Sequence, residues 1–464
     1  MCYSLTRRGM LMKNKRLIFA ILALGIISFL GIVIETALNI TFPVLMQQFQ
    51  ISSGVVQWLT SGYMLVSTVI IPFGAFFRKR FKIITLFRMA TGSFFAGTML
   101  VILSNNFLTL LLGRLIQGVA NGLVLPLMFS VIISQAPRKQ LGTFMGLGSL
   151  VLAFAPAVGP IYGGLISQHF HWKFVFAFLI PMIIIAYLLG EKYIEQDIQV
   201  GRNQFDIKGG IRLAVVLLSG LLLINSITSS SFSNLLRLAL GGLVVIFVIS
   251  FIKHENQQSE PLLNLTIFKK RGFIQLLLSF FLLQLMSLSI SYLIPNVLQL
   301  GFNQNTAIAG LLVTPAAIVN GLVSIFGGII YDKLKQRIPI FGGAIWILVS
   351  FILMVIVKPS PQFLAITYGS FMIGLGLSYS NIMTLSLSKL PRTMVDDGNS
   401  IYMTAQSYAG SLGIALSASI MGLMQGEYVS LMKGTLAGYQ TNLVVFVILS
   451  ILILGMLIQG MRKK

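Results

Sequence analysis

Long apolar runs alternate with short polar breaks from one end of this chain to the other. A bilayer's hydrocarbon core is about 30 Å thick, and a helix crosses it in roughly 20 residues. Runs of that length, bounded by charge, Pro or clusters of Asn, Gly and Ser, predict fourteen membrane-spanning helices. They are 17–40, 55–77, 83–104, 107–134, 141–167, 173–190, 210–229, 235–252, 273–295, 307–331, 338–357, 362–386, 399–424 and 441–461. Each must be helical, because hydrocarbon holds no water to satisfy backbone N–H and C=O groups.

The basic residues check that count independently. With the N-terminus inside, every Lys and Arg falls in or at the edge of a cytoplasmic break except Lys173, Arg237, Lys358 and Lys433, which fall on the outer side, and Arg114, which lies well inside a span. A wrong helix count would scramble that alternation, so an even number of spans with both termini cytoplasmic is expected. The first apolar stretch is too long for a signal-peptide core and lacks a small-residue cleavage site, so it reads as a retained helix. Met10 and Met12 are alternative starts to Met1.

Composition agrees. The 464 residues are 56% hydrophobic and 9% charged, against about 25% charged in a soluble domain, which excludes the three soluble domains that length alone suggests. The formal charge of +22 is spread over the breaks between spans, so it marks membrane topology and no nucleic-acid partner is expected. One cysteine, Cys2, excludes an internal disulfide framework and a multi-thiolate zinc site, and three histidines leave little for a metal cluster. Neither metal nor cofactor is expected. His169 and His171 fall in an outer loop, as pH sensors or as plain surface groups.

Two breaks resemble each other in position and texture, Gly74 to Lys82 after the second span and Gly328 to Arg337 after the tenth. Their offset of eight helices predicts two six-helix bundles with an inserted pair, a 6+2+6 plan. The N-terminal bundle is 1–192, the inserted two-helix linker 193–272 and the C-terminal bundle 273–464. Internal repeats of this kind build alternating-access transporters, with the substrate site between them near the midplane.

The residues at this point resemble the major facilitator superfamily, specifically its fourteen-helix drug:proton antiporter branch, the EmrB/QacA type. The first span carries Glu35-Thr36-Ala37-Leu38-Asn39 and then Pro43, and the second opens with Trp58, Thr60 and Tyr63. The fourth carries Arg114-Leu-Ile-Gln117-Gly118 with Gly122, similar to the family's R-x-x-Q-G motif. The fifth carries Gly146, Ala155 and Gly159-Pro160-x-x-Gly163-Gly164, which resembles the antiporter signature, with Ala155 where Gly is usual. The loop after the second span departs from the family's G-x-x-x-D-R/K-x-G motif. Arg78 stands where Asp is usual and Phe81 where Gly is usual, whereas the tenth span keeps Gly328-x-x-Tyr331-Asp332-Lys333. The resemblance implies that the usual Asp helps lock one state, so the N-terminal lock is expected to be weakened or moved to Asp332.

Of eleven acidic residues, only Glu35 lies deep in a span. An ionised carboxylate there costs about 2.5–3.5 kcal/mol, so it needs a cavity or a partner. That makes it the candidate proton carrier, the plainer reading being a neutral Glu that only packs the helix. Asn39, one turn on, shares its face. Arg114, Gln117 and Asn121 form one polar stripe, in which Arg114 either modulates Glu35 or ties down backbone carbonyls between helices. Gly146, Gly159, Pro160, Gly163 and Gly164 read as a hinge and packing element. Gly74 and Gly328 read as tight helix contacts beside Arg78 and beside the pair Asp332 and Lys333, which is a lock or an ordinary solvated pair. Gln57, Tyr63, Gln284, Asn320, Tyr379, Asn381 and Gln406, polar or aromatic at mid-span, are cavity candidates or interhelical hydrogen bonds, and the 21 Met and 34 Phe suit an adaptable apolar pocket.

No phosphate-cradling G-x-x-x-x-G-K-[ST] run occurs, so ATP-driven pumping by this chain alone is excluded. The expected function is a proton-driven antiporter, not an enzyme, that exports amphipathic, hydrophobic or cationic drugs. The alternatives are an exporter or flippase of an endogenous lipid or metabolite, and more remotely a non-transporting membrane sensor. Its expected partners are small amphipathic substrates, protons and the lipid bilayer of a bacterial inner membrane, and a monomer suffices.

Overall fold

The computed structural model describes residues 2–196, 206–228, 233–258, 261–270, 272–304, 306–334 and 336–461. The charged residues Asp197, Arg202, Glu260, Arg271, Lys335 and Arg462 to Lys464, all between or beyond the predicted spans, lie outside the described residues. Among the described residues there are fourteen long apolar helices: α1 (Cys2–Phe49), α2 (Trp58–Arg80), α3 (Ile83–Ile102), α4 (Phe107–Gln135), α5 (Leu141–His169), α6 (Phe174–Tyr193), α7 (Ile207–Thr228), α8 (Asn234–Glu255), α9 (Phe273–Gly301), α10 (Thr306–Lys333), α11 (Arg337–Ile356), α12 (Pro361–Ser388), α13 (Val395–Glu427) and α14 (Leu431–Gly460). Thirteen are long and apolar enough to cross a bilayer as they stand, and α5 passes as two segments, Arg138–Pro156 and Ile161–His169, bent by 41°. Strands are absent among the described residues. The all-helical fold is that of a multi-pass membrane protein.

The helices start where polar side chains satisfy their free N–H groups. Asn106 Oδ1 accepts from Thr109 N at 2.8 Å to open α4, and Ser360 Oγ accepts from Phe363 N at 3.3 Å to open α12. Most helices outrun the predicted spans, and α1 does so at both ends. The apolar pattern marks what hydrocarbon must cover, while the helix continues as long as its backbone hydrogen bonds do.

The chain forms two compact units. The first comprises Met1–Arg138, Val151–Phe205 and Val395–Met403. Its centre is α4, against which α1, α2 and α3 pack. The approach is close because α4 offers glycine where a neighbour's backbone passes. A Cβ on Gly97 of α3 would stand 2.6 Å from Gly113 O, and one on Gly118 would stand 2.7 Å from Tyr63 O.

The second unit comprises Lys139–Leu150, Asp206–Met394 and Thr404–Lys464. There α12 takes the central place, packed by α9, α10 and α11. The same device recurs eight helices later, since a Cβ on Gly376 of α12 would stand 2.9 Å from Asn320 O. The α7–α8 pair belongs to this unit, where Tyr408 of α13 donates its hydroxyl to Leu217 O. The apolar side chains Leu235, Leu238, Val245 and Ile246 of α8 are exposed, as lipid-facing positions are.

The mouth of the α7–α8 pair is tied by Asp206, which accepts from Gly209 N at 3.0 Å and meets His254 Nε2 at 2.6 Å. Burial pushes the Asp206 carboxyl up, but the Gly209 N–H and the His254 ring outweigh it and hold it below the usual aspartate range. Its contribution to stability is therefore present at neutral pH and lost as pH falls through that lowered range.

The glycine contacts make a testable distinction along one helix. Gly97→Val is expected to lower stability by about 1–3 kcal/mol through overpacking. Gly92→Val on the same helix, where a Cβ meets nothing within 4 Å, is expected to leave it nearly unchanged. Thermal unfolding in detergent compares the two, and equal losses would refute the packing account.

Candidate functional site

In the first unit Arg114, well inside α4, is held by protein groups. Arg114 on α4 has no exposed surface. Its Nε donates to Leu59 O at 3.1 Å, and its Nη1 to Gln117 Oε1 at 2.7 Å. Gln117 Nε2 then donates to Thr98 Oγ1 on α3 at 2.8 Å. The guanidinium lies over the Tyr63 ring of α2, 4.3 Å from its centroid, a cation–π contact worth about 2 kcal/mol when desolvated. Asn121, one turn beyond Gln117, donates to Ser67 Oγ at 3.0 Å. Glu35 on α1 is half-buried, and among the described residues Arg114 makes no ion pair within 4 Å.

Tyr63, Arg114, Gln117 and Asn121 are thus brought together. Asn39 and Gln57 are not, because both are exposed, and Asn39 only accepts from Thr60 Oγ1 at 3.3 Å.

In the second unit Tyr379 stacks on Phe280, centroids 4.2 Å apart. Its hydroxyl is buried without a hydrogen-bond partner among the described residues. Gln284 lies beside Gly410, whose Cβ would stand 3.9 Å from Gln284 Nε2, and Gln406 is one turn before that glycine. Asn381 donates to Leu377 O at 2.7 Å, which anchors it to its own helix. Asn320 is half-buried and carries Ser324 Oγ on its carbonyl at 2.8 Å.

The residues read as conformational form two polar clasps, one in each unit. In the first, Arg78 at the end of α2 is buried; its Nε donates to Ser130 Oγ at 3.1 Å and lies 3.6 Å from Asp396 Oδ1. Ser130 in turn donates to Asp396, and Lys79 Nζ reaches both oxygens of Asp397 at 3.0 Å. Gly74 sits beside them, where a Cβ would be 3.1 Å from Pro126. In the second unit Asp332 accepts from Gly142 N at 2.8 Å, from Thr143 N at 2.7 Å and from Thr143 Oγ1 at 2.6 Å. Lys333 is exposed, so Asp332 is engaged by the start of α5 and not by its neighbour.

Gly146 packs on Ser324 and Gly328 on Gly142; Gly159 and Gly163 pack on Thr36 and Ala37 of α1. Gly164 has open space around it. The side chain of Pro160 lies outside the described residues, within the stretch where α5 bends.

Sequence reading missed Thr98, Ser67, Phe280, Ser130 and the enclosure of the half-buried Asp396 and the buried Asp397. The last had a readable signal: among the described residues they are the only acids in the first turn of an apolar helix, and a basic cluster that lacks its usual acid needs such a partner.

Residues 24–414 match the family described as the Major Facilitator Superfamily. The chain is 32% identical over 412 residues to the lincomycin resistance protein LmrB of Listeria monocytogenes, spanning 88% of this chain and 87% of that one. It is 25% identical over 406 residues to the multidrug export protein EmrB of Haemophilus influenzae, spanning 86% and 80%. Among solved structures, the proton:xylose symporter XylE bound to 6-bromo-6-deoxy-D-glucose has the same fold, with a TM-score of 0.65 at 13% identity over 94% of this chain and 95% of that one.

Arg78→Asp supplies the acid usual in the resembled motif. It is nevertheless expected to lower stability by about 3 kcal/mol, because it removes the cation facing Asp396 and adds a third carboxylate. Thermal unfolding in detergent checks this, and a variant as stable as the parent would show that the clasp carries no such charge balance.

Proposed function

The chain belongs to the Major Facilitator Superfamily, whose members are membrane transporters and not enzymes, and we propose that it exports amphipathic, hydrophobic or cationic drugs in exchange for protons by alternating access. One observation supports the proton part: Glu35, the only acid deep in a predicted span, is on α1, which packs against α4, where the buried Arg114 has Leu59 O, Gln117 and the Tyr63 ring as partners. Those three contacts of the arginine stay in place whether the carboxyl is protonated or ionised. The relatives named for lincomycin resistance and multidrug export support the drug part.

The exchange runs as a competition. Substrate enters the cavity from the cytoplasm and displaces the proton; reprotonation of Glu35 from outside releases the substrate. One charge crossing about 100 mV supplies roughly 2.3 kcal/mol, enough for about a fiftyfold gradient of an uncharged substrate. In the first unit Arg114, Gln117 and Asn121 are the polar groups assigned to the transport path, and in the second unit Gln284, Asn320, Tyr379, Asn381 and Gln406 are. The clasps at Arg78–Asp396, Lys79–Asp397 and Asp332 hold one conformation and part in the other. The protein works in a bacterial inner membrane with both termini cytoplasmic.

In an efflux-deficient bacterial host, the chain is expected to raise tolerance to lincomycin and to a cationic dye such as ethidium. Glu35→Gln is expected to lower proton-driven ethidium export at least tenfold at equal membrane expression. Unchanged export in that variant would remove Glu35 from the coupling mechanism. Envelope defects on deletion without drug sensitivity would favour an endogenous lipid or metabolite as the substrate.

A further inference from the structure

Three side chains, two of them against one glycine of α1 and the third lying over the Tyr63 ring, each end in a polar atom that the described residues leave without a partner: the Tyr63 hydroxyl, Asn121 Oδ1 and Arg114 Nη2. Tyr63 and Arg114 have no exposed surface. The glycine is Gly31, where a Cβ would stand 2.6 Å from the Tyr63 hydroxyl and 3.3 Å from Asn121 Oδ1. Glu35 is one helical turn further along α1 and so presents its side chain on the same face. A buried polar atom without a partner costs about 1–3 kcal/mol, and two of these three are donors.

We propose that Tyr63 is the positioning residue of Glu35. Its ring seats the Arg114 guanidinium, and its hydroxyl, with Arg114 Nη2, donates to the Glu35 carboxylate when that group is ionised. Protonation removes the negative charge that holds the carboxylate on the two donors and releases the side chain from them; in this structure neither donor has a hydrogen-bond partner among the described residues. Gly31 is part of the device, because any side chain there would occupy the place of the hydroxyl. The charged and titratable groups that face Glu35 are Tyr63 from α2 and Arg114 from α4. On the other elements packed against α1, Tyr162 of α5 donates its hydroxyl to Val175 O at 2.8 Å. Arg88 of α3 is paired with Glu191 of α6 at 2.6 Å, and Tyr193 of α6 stacks on Phe19, far along α1 from Glu35. Tyr187 and Lys192, also on α6, lie toward that same Tyr193 end.

The assignment rests on Glu35 being the proton carrier, and one experiment separates the two. The full chain is reconstituted in lipid and titrated by infrared spectroscopy, reading the protonated-carboxyl band that Glu35→Gln removes. Tyr63→Phe keeps the ring over Arg114 and deletes only the donor to the ionised form, so the midpoint of that band is expected to rise by about one pH unit. Gly31→Ala, which displaces the hydroxyl without deleting it, is expected to raise it in the same direction. An unshifted midpoint in Tyr63→Phe overturns the role of Tyr63 and leaves Glu35 as the carrier. A band unaltered by Glu35→Gln overturns both.

Discussion

Taking a guanidinium out of water costs several kcal/mol unless protein groups replace the lost hydrogen bonds, and Arg114 has no exposed surface at all. Its satisfaction sets how the first unit packs. Leu59 O and the Tyr63 ring come from α2, and Thr98 is reached through Gln117 from α3. Those groups lie within reach because α4 interleaves two patterns along its length. Gly113, Gly118 and Gly122 admit neighbouring backbones, while Arg114, Gln117 and Asn121 use the proximity so created. Lengthening any of the three glycines would move the partners of the arginine away, so close packing and charge burial are one requirement here.

The membrane spans were legible because hydrocarbon imposes a length and a polarity on them. Glu35 and Arg114 were legible as lone charges in such spans. What lay around them was not, because contacts between helices depend on rotation and depth that periodicity alone does not set. Tyr63 reads as one more mid-span aromatic until α2 is laid on Gly118 of α4, when its ring falls on the guanidinium. Asn39 shares a face with Glu35, yet it is exposed near the end of a helix that runs on to Phe49. Residue type named the candidates; depth sorted them.

The two clasps explain a departure from the usual motif that residue identity alone left open. A helix N-terminus carries partial positive charge and free N–H groups, so it favours an anion. The first turn of α5 contains no acid, and Asp332 supplies one from α10, accepting three hydrogen bonds there. The first turn of α13 contains two acids of its own, Asp396 and Asp397. Its anion requirement is therefore already met, and a carboxylate from α2 at position 78 would meet like charge. The end of α2 brings cations instead, with Arg78 facing Asp396 and Lys79 facing Asp397. The polarity of the contact is reversed while its geometry at a helix start is kept. Arg78 is thus one half of a compensated exchange, and the second half sits more than three hundred residues later in the chain.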